Sequence, residues 1–323
     1  RPTFVFERGN WMVPGEKVSS KTPNELGAWK KEWPANRLGF AYWLTAPENP
    51  LTARTLVNRV WDQLFGRGLT ATLEDMGTQS EPPTHPELLD YLAWKTVRGY
   101  DWSIKSLIRE IVTSATYQQS SSISIAAYQK DPNNQWFARG PRFRLSAEQI
   151  RDQALASSGL LSTKMYGKPV MPTQPEGIWQ TVYNGESWKE SEGADKYRRS
   201  VYTFLKRTSP YPSFISFDAG SREVCISKRL VTNTPLQALV TLNDPVYLDA
   251  AKALSQKVWE NSGKNPVAAI QEIYKQLLLI PISEAKKKSM MQLFATAKTG
   301  FDRDPKARAE FFPGADASLA ALA

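Results

Sequence analysis

The sequence is poor in the two side chains that most often carry legible chemistry: it has one cysteine, Cys225, and one histidine, His85. A lone cysteine closes no intrachain disulfide. This inventory cannot assemble the usual Cys/His zinc site, and the Cys-x-x-Cys-His run that attaches c-type haem is missing. No Ser-His-Asp or Cys-His machinery is legible unless His85 serves in it. No stretch reaches the roughly 20 apolar residues of a membrane span, and no secretory leader is legible. The densest basic run is Lys286-Lys287-Lys288, so a nucleic-acid role has no motif behind it. The start at Arg1-Pro2 and the Ala/Leu-rich end at Ala323 read as cuts in a longer polypeptide.

What is present suits a folded protein. The 323 residues give room for a substantial core, and 41% hydrophobic with 23% charged residues argues against disorder. The net charge of +9 favours acidic partners. Eleven tryptophans can fill a core or build a binding surface.

Thr3–Asn10 reads as a short strand ending in a turn, followed by a loop to about Asn36. Arg37–Leu44 reads as a short helix. Asn49-Pro50 opens a clearer one, with Leu56, Val57, Val60, Trp61, Leu64 and Phe65 on one face and Gly66-Arg67-Gly68 ending it. Thr84 with Glu87 predicts a capping box, in which a hydroxyl and a carboxylate satisfy two free backbone N–H groups. Ser103 caps the next helix, and Ser146 with Gln149 opens another. Residues 118–145 and 163–196 read as irregular, and Ser200–Lys206 has strand character. Thr234–Gln237, Asp244-Pro245, Asn265-Pro266 and Ser283 each start a helix. These readings predict a mainly α, irregular multi-helix domain with long ordered loops and two or three short strands. The organisation expected is an N-terminal strand and loop over 1–36 continuing an upstream domain, a main α-rich domain over 37–261, and a truncated helical subdomain over 262–323.

Several segments carry a resemblance. Asn49-Pro50-Leu51-Thr52-Ala53-Arg54 leads into Val57-Asn58-Arg59-Val60-Trp61, Phe65-Gly66-Arg67-Gly68-Leu69 and Gly77–Asp90. Ile111–Tyr117, Arg139–Glu148, Thr232-Asn233-Thr234-Pro235-Leu236-Gln237-Ala238-Leu239 and Leu242-Asn243-Asp244-Pro245 follow. Over roughly residues 37–255 this pattern resembles the planctomycete-specific domain of unknown function that accompanies planctomycete-type cytochrome C domains. The resemblance implies a large exported protein, periplasmic, outer-membrane-associated or extracellular, with other domains of the same polypeptide as partners. It implies no cofactor in this chain, with haem belonging to an upstream c-type cytochrome domain, and no agreed catalytic residues.

Four constellations and the lone thiol are candidates for chemistry. Arg142, Arg144 and Arg151, with Arg198, Arg199 and Arg222, either bind an anion through bidentate guanidinium contacts or form an internal network with Glu148, Asp152, Asp218 and Glu223. His85 is a base or ligand candidate, or orders the turn before Pro86. Asp75, Glu81, Glu87, Glu176, Asp218 and Asp244 are carboxylates from which a hydrolytic pair could come, if two lie at the right separation, although Glu87 and Asp244 also read as helix-capping groups; Asp75, Glu148 and Asp218 are the ones to replace in an activity screen. Trp179 and Trp188, with Tyr166, Tyr183 and Tyr197, either stack on sugar or pin their loop to the core. Cys225, between Val224 and Ile226, reads as a buried small apolar residue. The expected function is a non-catalytic or scaffold module binding an anionic ligand such as an acidic polysaccharide. The alternatives are a carbohydrate-active enzyme with a carboxylate pair and a docking partner of a c-type cytochrome in electron transfer.

Overall fold

Helix caps spaced along the chain set the architecture in the computed structural model, which describes residues 3–19, 21–178 and 187–323. Among them are thirteen α-helices and one two-stranded sheet. The protein is mainly α, as its periodicity predicts, and it divides into two compact units, Arg1–Phe143 and Arg144–Ala323.

In the first unit, β1 (Thr3–Phe6) and β2 (Pro14–Val18) form an antiparallel hairpin, with Thr3 opposite Val18. Asn36 caps α1 (Arg37–Leu44) through Leu38 and Gly39 N–H groups. The Asn49 side chain accepts from Leu51 and Thr52 N–H before α2 (Thr52–Phe65). Then come α3 (Pro86–Trp94), a π turn over Lys95–Gly99, α4 (Ile104–Val112) and α5 (Ile125–Lys130), the last inside a stretch expected to be irregular. Val57, Trp61 and Phe65 of α2 meet Leu89, Leu92, Leu107, Ile111 and Phe137 in one core. Each such side chain stabilises by about 1.5–3 kcal/mol when buried.

The Phe65-Gly66-Arg67-Gly68-Leu69 motif has a local cause. Gly66 ends α2 at φ +74°, and a Cβ on Gly68 would lie 2.6 Å from Asn58 Oδ1. Asn58 is fully buried; its side chain donates to Thr70 C=O at 3.1 Å and accepts Thr70 N–H at 3.0 Å. The Thr84–Glu87 capping box does not form. The Thr84 hydroxyl donates to Leu69 C=O at 3.3 Å and lies 3.0 Å from His85 Nδ1, so α3 starts one residue late, after His85.

In the second unit, Ser146 and Gln149 form the expected capping box of α6 (Ala147–Ser158). α7 (Pro212–Ser216), α8 (Pro235–Asn243) and α9 (Pro245–Asn261) follow, then α10 (Pro266–Leu278), α11 (Glu284–Arg303), α12 (Pro305–Phe311) and α13 (Ala317–Leu322). α6 packs on α9 and α7 around Leu155, Tyr211, Phe214, Phe217, Val246 and Tyr247. A smaller cluster joins Leu254, Val258 and Trp259 to Ala269, Ile273, Leu319 and Leu322.

Two sequence expectations fail here. Ser200–Lys206 is not a strand: Ser200–Tyr202 is a 3-10 turn, and Thr203 makes one isolated bridge with Val170. The reason is that Ser200 N–H is taken by the Asp152 carboxylate at 2.7 Å and Thr203 N–H by Ser200 C=O at 3.0 Å, so no ladder propagates. Cys225 is exposed rather than buried, because its neighbours Val224 (70% exposed) and Ile226 (53%) have no core to enter.

Candidate functional site

The arginines that the sequence offers as binders divide into spent and exposed groups. Arg151 projects from α6 and is fully buried. Its Nη1 donates to Arg198 C=O at 2.9 Å and its Nη2 to Lys196 C=O at 2.8 Å, while Nε is enclosed without a partner. Arg198 is 2% exposed and grips a second stretch of backbone. It donates to the carbonyls of Lys164 (3.2 Å), Tyr166 (2.6 Å) and Lys168 (3.2 Å) and stacks 3.8 Å from the Tyr202 ring. The two guanidinium groups act in series: α6 holds the 196–198 backbone, and that segment holds the 164–168 loop. Main-chain carbonyls thus replace the carboxylates that buried arginines ordinarily require.

Arg144 donates through Nη2 alone to the Asp218 carboxylate at 2.5 Å, its Nε and Nη1 being enclosed without a partner, and Arg229 makes a bidentate pair with Glu148 at 2.6 and 2.9 Å. The Thr232 backbone N–H on Asp218, with its hydroxyl and Arg144, holds that carboxyl below its ordinary pKa. Burial works to raise the Glu148 pKa, but the Arg229 contact outweighs it and the net shift is downward. Both groups are therefore held as anions, unlike the raised-pKa general acid that glycoside hydrolysis needs. Arg199 is 51% exposed, with Asp152 3.7 Å away. Arg222 is exposed in the second unit and Arg142 in the first.

The remaining candidates have local roles. Asp75 lies in the first unit and closes a turn by accepting Gly77 N–H at 2.8 Å. His85 is half-buried, 5.6 Å from the Phe137 ring. Trp188 donates to Pro172 C=O at 2.8 Å and stacks near Tyr211 at 5.9 Å, which pins its loop to the second core. Trp179 and Tyr183 lie outside the described residues. Beside Trp188 a cleft of about 410 Å³ is lined by Gln174, Pro175, Glu176, Ile178 and Glu190 among others. It brings carboxylates, not arginines, next to the aromatic ring.

Two polar groupings, a partly exposed one around Lys95 and a buried one around the helix-capping Asp244, are not legible as groupings in the sequence. In the first unit, Lys95 Nζ donates to Glu110 at 2.7 Å and to Tyr91 Oη at 2.8 Å, and Tyr100 donates to the same carboxylate. The Glu110 contact, with Tyr91 and Tyr100, pushes the Lys95 pKa up. Only the i, i+4 spacing of Tyr91 and Lys95 hints at it. In the second unit, Asp244 caps α9 from a buried position near Arg151, and burial pushes its carboxyl up. Tyr247 beside it is pushed up to about 12, chiefly by burial. Among the described residues, no three His, Cys, Asp or Glu side chains are placed to hold a metal ion, and no helix is long and apolar enough to cross a membrane.

No curated protein and no solved structure matches the chain significantly. A family model, PSD1, described as "Protein of unknown function (DUF1553)", matches residues 36–294. That span holds both arginine clamps, the Asn58 knot and the capping boxes of α6 and α8, and it covers most of the sequence: the chain belongs to the PSD1 (DUF1553) family.

Proposed function

We propose that the chain is a non-catalytic scaffold module of a larger exported polypeptide, which holds long loops in fixed paths and presents surfaces to neighbouring domains. One observation carries the reading: Arg151 and Arg198 are buried and turn their Nη groups to the protein's own carbonyls. A binding arginine keeps its fork open to solvent, whereas these bind backbone. The paired states of Glu148 and Asp218 support the same reading, since neither is free to move a proton.

A second reading, weak electrostatic attachment of an acidic polysaccharide, is favoured by the exposure of Arg199 and Arg222. Calorimetric titration with heparin and polygalacturonate separates the two. The scaffold reading expects at most a weak heat that disappears at physiological salt. Saturable binding that survives salt and is lost in Arg199→Ala/Arg222→Ala supports the second reading instead. Polysaccharide hydrolysis abolished by Glu176→Gln or Glu190→Gln overturns both.

A further inference from the structure

The turn between α10 and α11 breaks three local rules at once. It carries an unbroken apolar run, Leu277-Leu278-Leu279-Ile280-Pro281-Ile282, yet Leu278, Leu279 and Ile280 are 52%, 85% and 53% exposed. Leu279, the most exposed of the three, is the C-cap of α10 at φ +57°. That left-handed position favours glycine and strains a leucine. Lys286, Lys287 and Lys288 then sit in the first two turns of α11, where cations oppose the helix dipole. Local rules broken together at one place mark a surface kept for function rather than for packing.

Cations lie beside the apolar apex. Lys275 precedes Leu279 by four residues, and its carbonyl accepts the Leu279 N–H at 2.8 Å, so it stands one helical turn, about 5.4 Å, behind that leucine. Lys286 Nζ reaches back from α11 and donates to Tyr274 Oη at 3.2 Å. Tyr274 shares a side of α10 with Leu277 and Leu278, three and four residues on. Lys287 is held by Glu284 at 2.7 Å, whereas Lys275, Lys286 and Lys288 have no ion pair among the described residues. The one further acid over residues 272–288 is Glu272, which accepts the Gln276 amide at 2.9 Å. Three cations therefore face one carboxylate around the turn.

We infer that this turn docks on an anionic lipid surface, with Leu278, Leu279 and Ile280 entering the boundary between headgroups and acyl chains and Lys275 and Lys286 on the lipid phosphates. Order in depth selects the occupant. An apolar apex with cations set about one turn behind it matches an interface in which apolar side chains enter by about 5–10 Å while basic groups stay with the anionic headgroups. A second copy would instead set the same lysines against one another across a two-fold axis. Lipid attachment of this kind goes beyond the scaffold reading and does not depend on it.

The test is co-sedimentation of the full chain with vesicles of phosphatidylcholine alone or mixed equally with phosphatidylglycerol. At low salt the anionic vesicles should bind the chain at least about tenfold more tightly. Leu279→Gly/Ile280→Ser should weaken that binding by about tenfold with circular dichroism unchanged and Tm unchanged or raised, because glycine relieves the left-handed cap. Lys275→Glu/Lys286→Glu should abolish the preference for anionic vesicles. Leu293 is also exposed but lies about 14 Å along α11 from its start, so Leu293→Ser should bind as wild type does. Absence of binding to anionic vesicles, equal binding to both kinds, or binding that survives Leu279→Gly/Ile280→Ser overturns the inference. So does an equal loss in Leu293→Ser. A wild-type dimer that the turn substitutions dissociate, or soluble poly-glutamate bound as tightly as the vesicles, also overturns it and makes the occupant a second copy or an acidic polypeptide.

Discussion

Arg151→Met is the most informative single substitution. The fully buried guanidinium holds Arg198 C=O at 2.9 Å and Lys196 C=O at 2.8 Å. Methionine fills much of the same volume but donates nothing, so two carbonyls near the fully enclosed Arg198 and Ser200 lose their partner. Each unsatisfied buried acceptor costs about 1–3 kcal/mol. Removing the buried charge also relieves a desolvation cost, which offsets part of that loss. A net destabilisation of about 3 kcal/mol remains, and for a unit of this size it lowers Tm by about 6–12 °C in calorimetry. The effect carries a pH signature. Arg151 favours the ionised form of buried Asp244, whose carboxyl burial has pushed up. Without Arg151 that carboxyl rises further. The added penalty for ionised Asp244 therefore develops as pH rises through its folded pKa and shrinks in acid. A Tm loss under about 2 °C at neutral pH, or a loss equal at neutral and acid pH, would refute the clamp argument.

Gln237→Leu should cost about 2 kcal/mol by urea denaturation, because Ser216 and Thr232 carbonyls lose their donor, whereas Leu239→Ser should stay within about 0.5 kcal/mol. That ordering reverses the usual rule that apolar-to-polar changes are the costly ones. Asp218→Asn should cost about 1–2 kcal/mol at neutral pH by weakening the Arg144 and Thr232 contacts. The native Asp218 carboxyl sits below its ordinary value, so its stabilisation is present above about pH 4 and is lost as pH falls through the folded pKa. Wild type and variant should therefore converge in acid denaturation curves.

Local signals were legible and long-range ones were not. Ser146 with Gln149 and Thr234 with Gln237 announce their helices because each box closes over three residues. Thr84 with Glu87 has the same pattern but fails, since Leu69 C=O and the His85 ring take the Thr84 hydroxyl. Ser200–Lys206 has a strand's residues but finds no ladder partner beyond Val170. The arginines were recognised as a group, and the choice between binding and internal pairing depended on contacts 45–47 residues away for Arg151 and 74 for Arg144. Composition made Cys225 look buried, because nothing in a short apolar run says whether a core lies opposite it. Gln237 gave no sign that it, rather than Leu236 or Leu239, is the buried residue of α8.

The Arg198 fork carries a consequence for how this loop tolerates change. Its hydrogen bonds to the loop go to the carbonyl oxygens of Lys164, Tyr166 and Lys168, while its flat face lies on the Tyr202 ring outside the loop. A grip on the main chain is blind to side-chain identity. Lys164 and Lys168 can drift to unrelated residues while the loop keeps its course, and only the left-handed positions, Tyr166 at φ +63° and Gly167 at φ +90°, remain constrained by the backbone itself. Related chains built this way can diversify the rim of the loop without relearning its path.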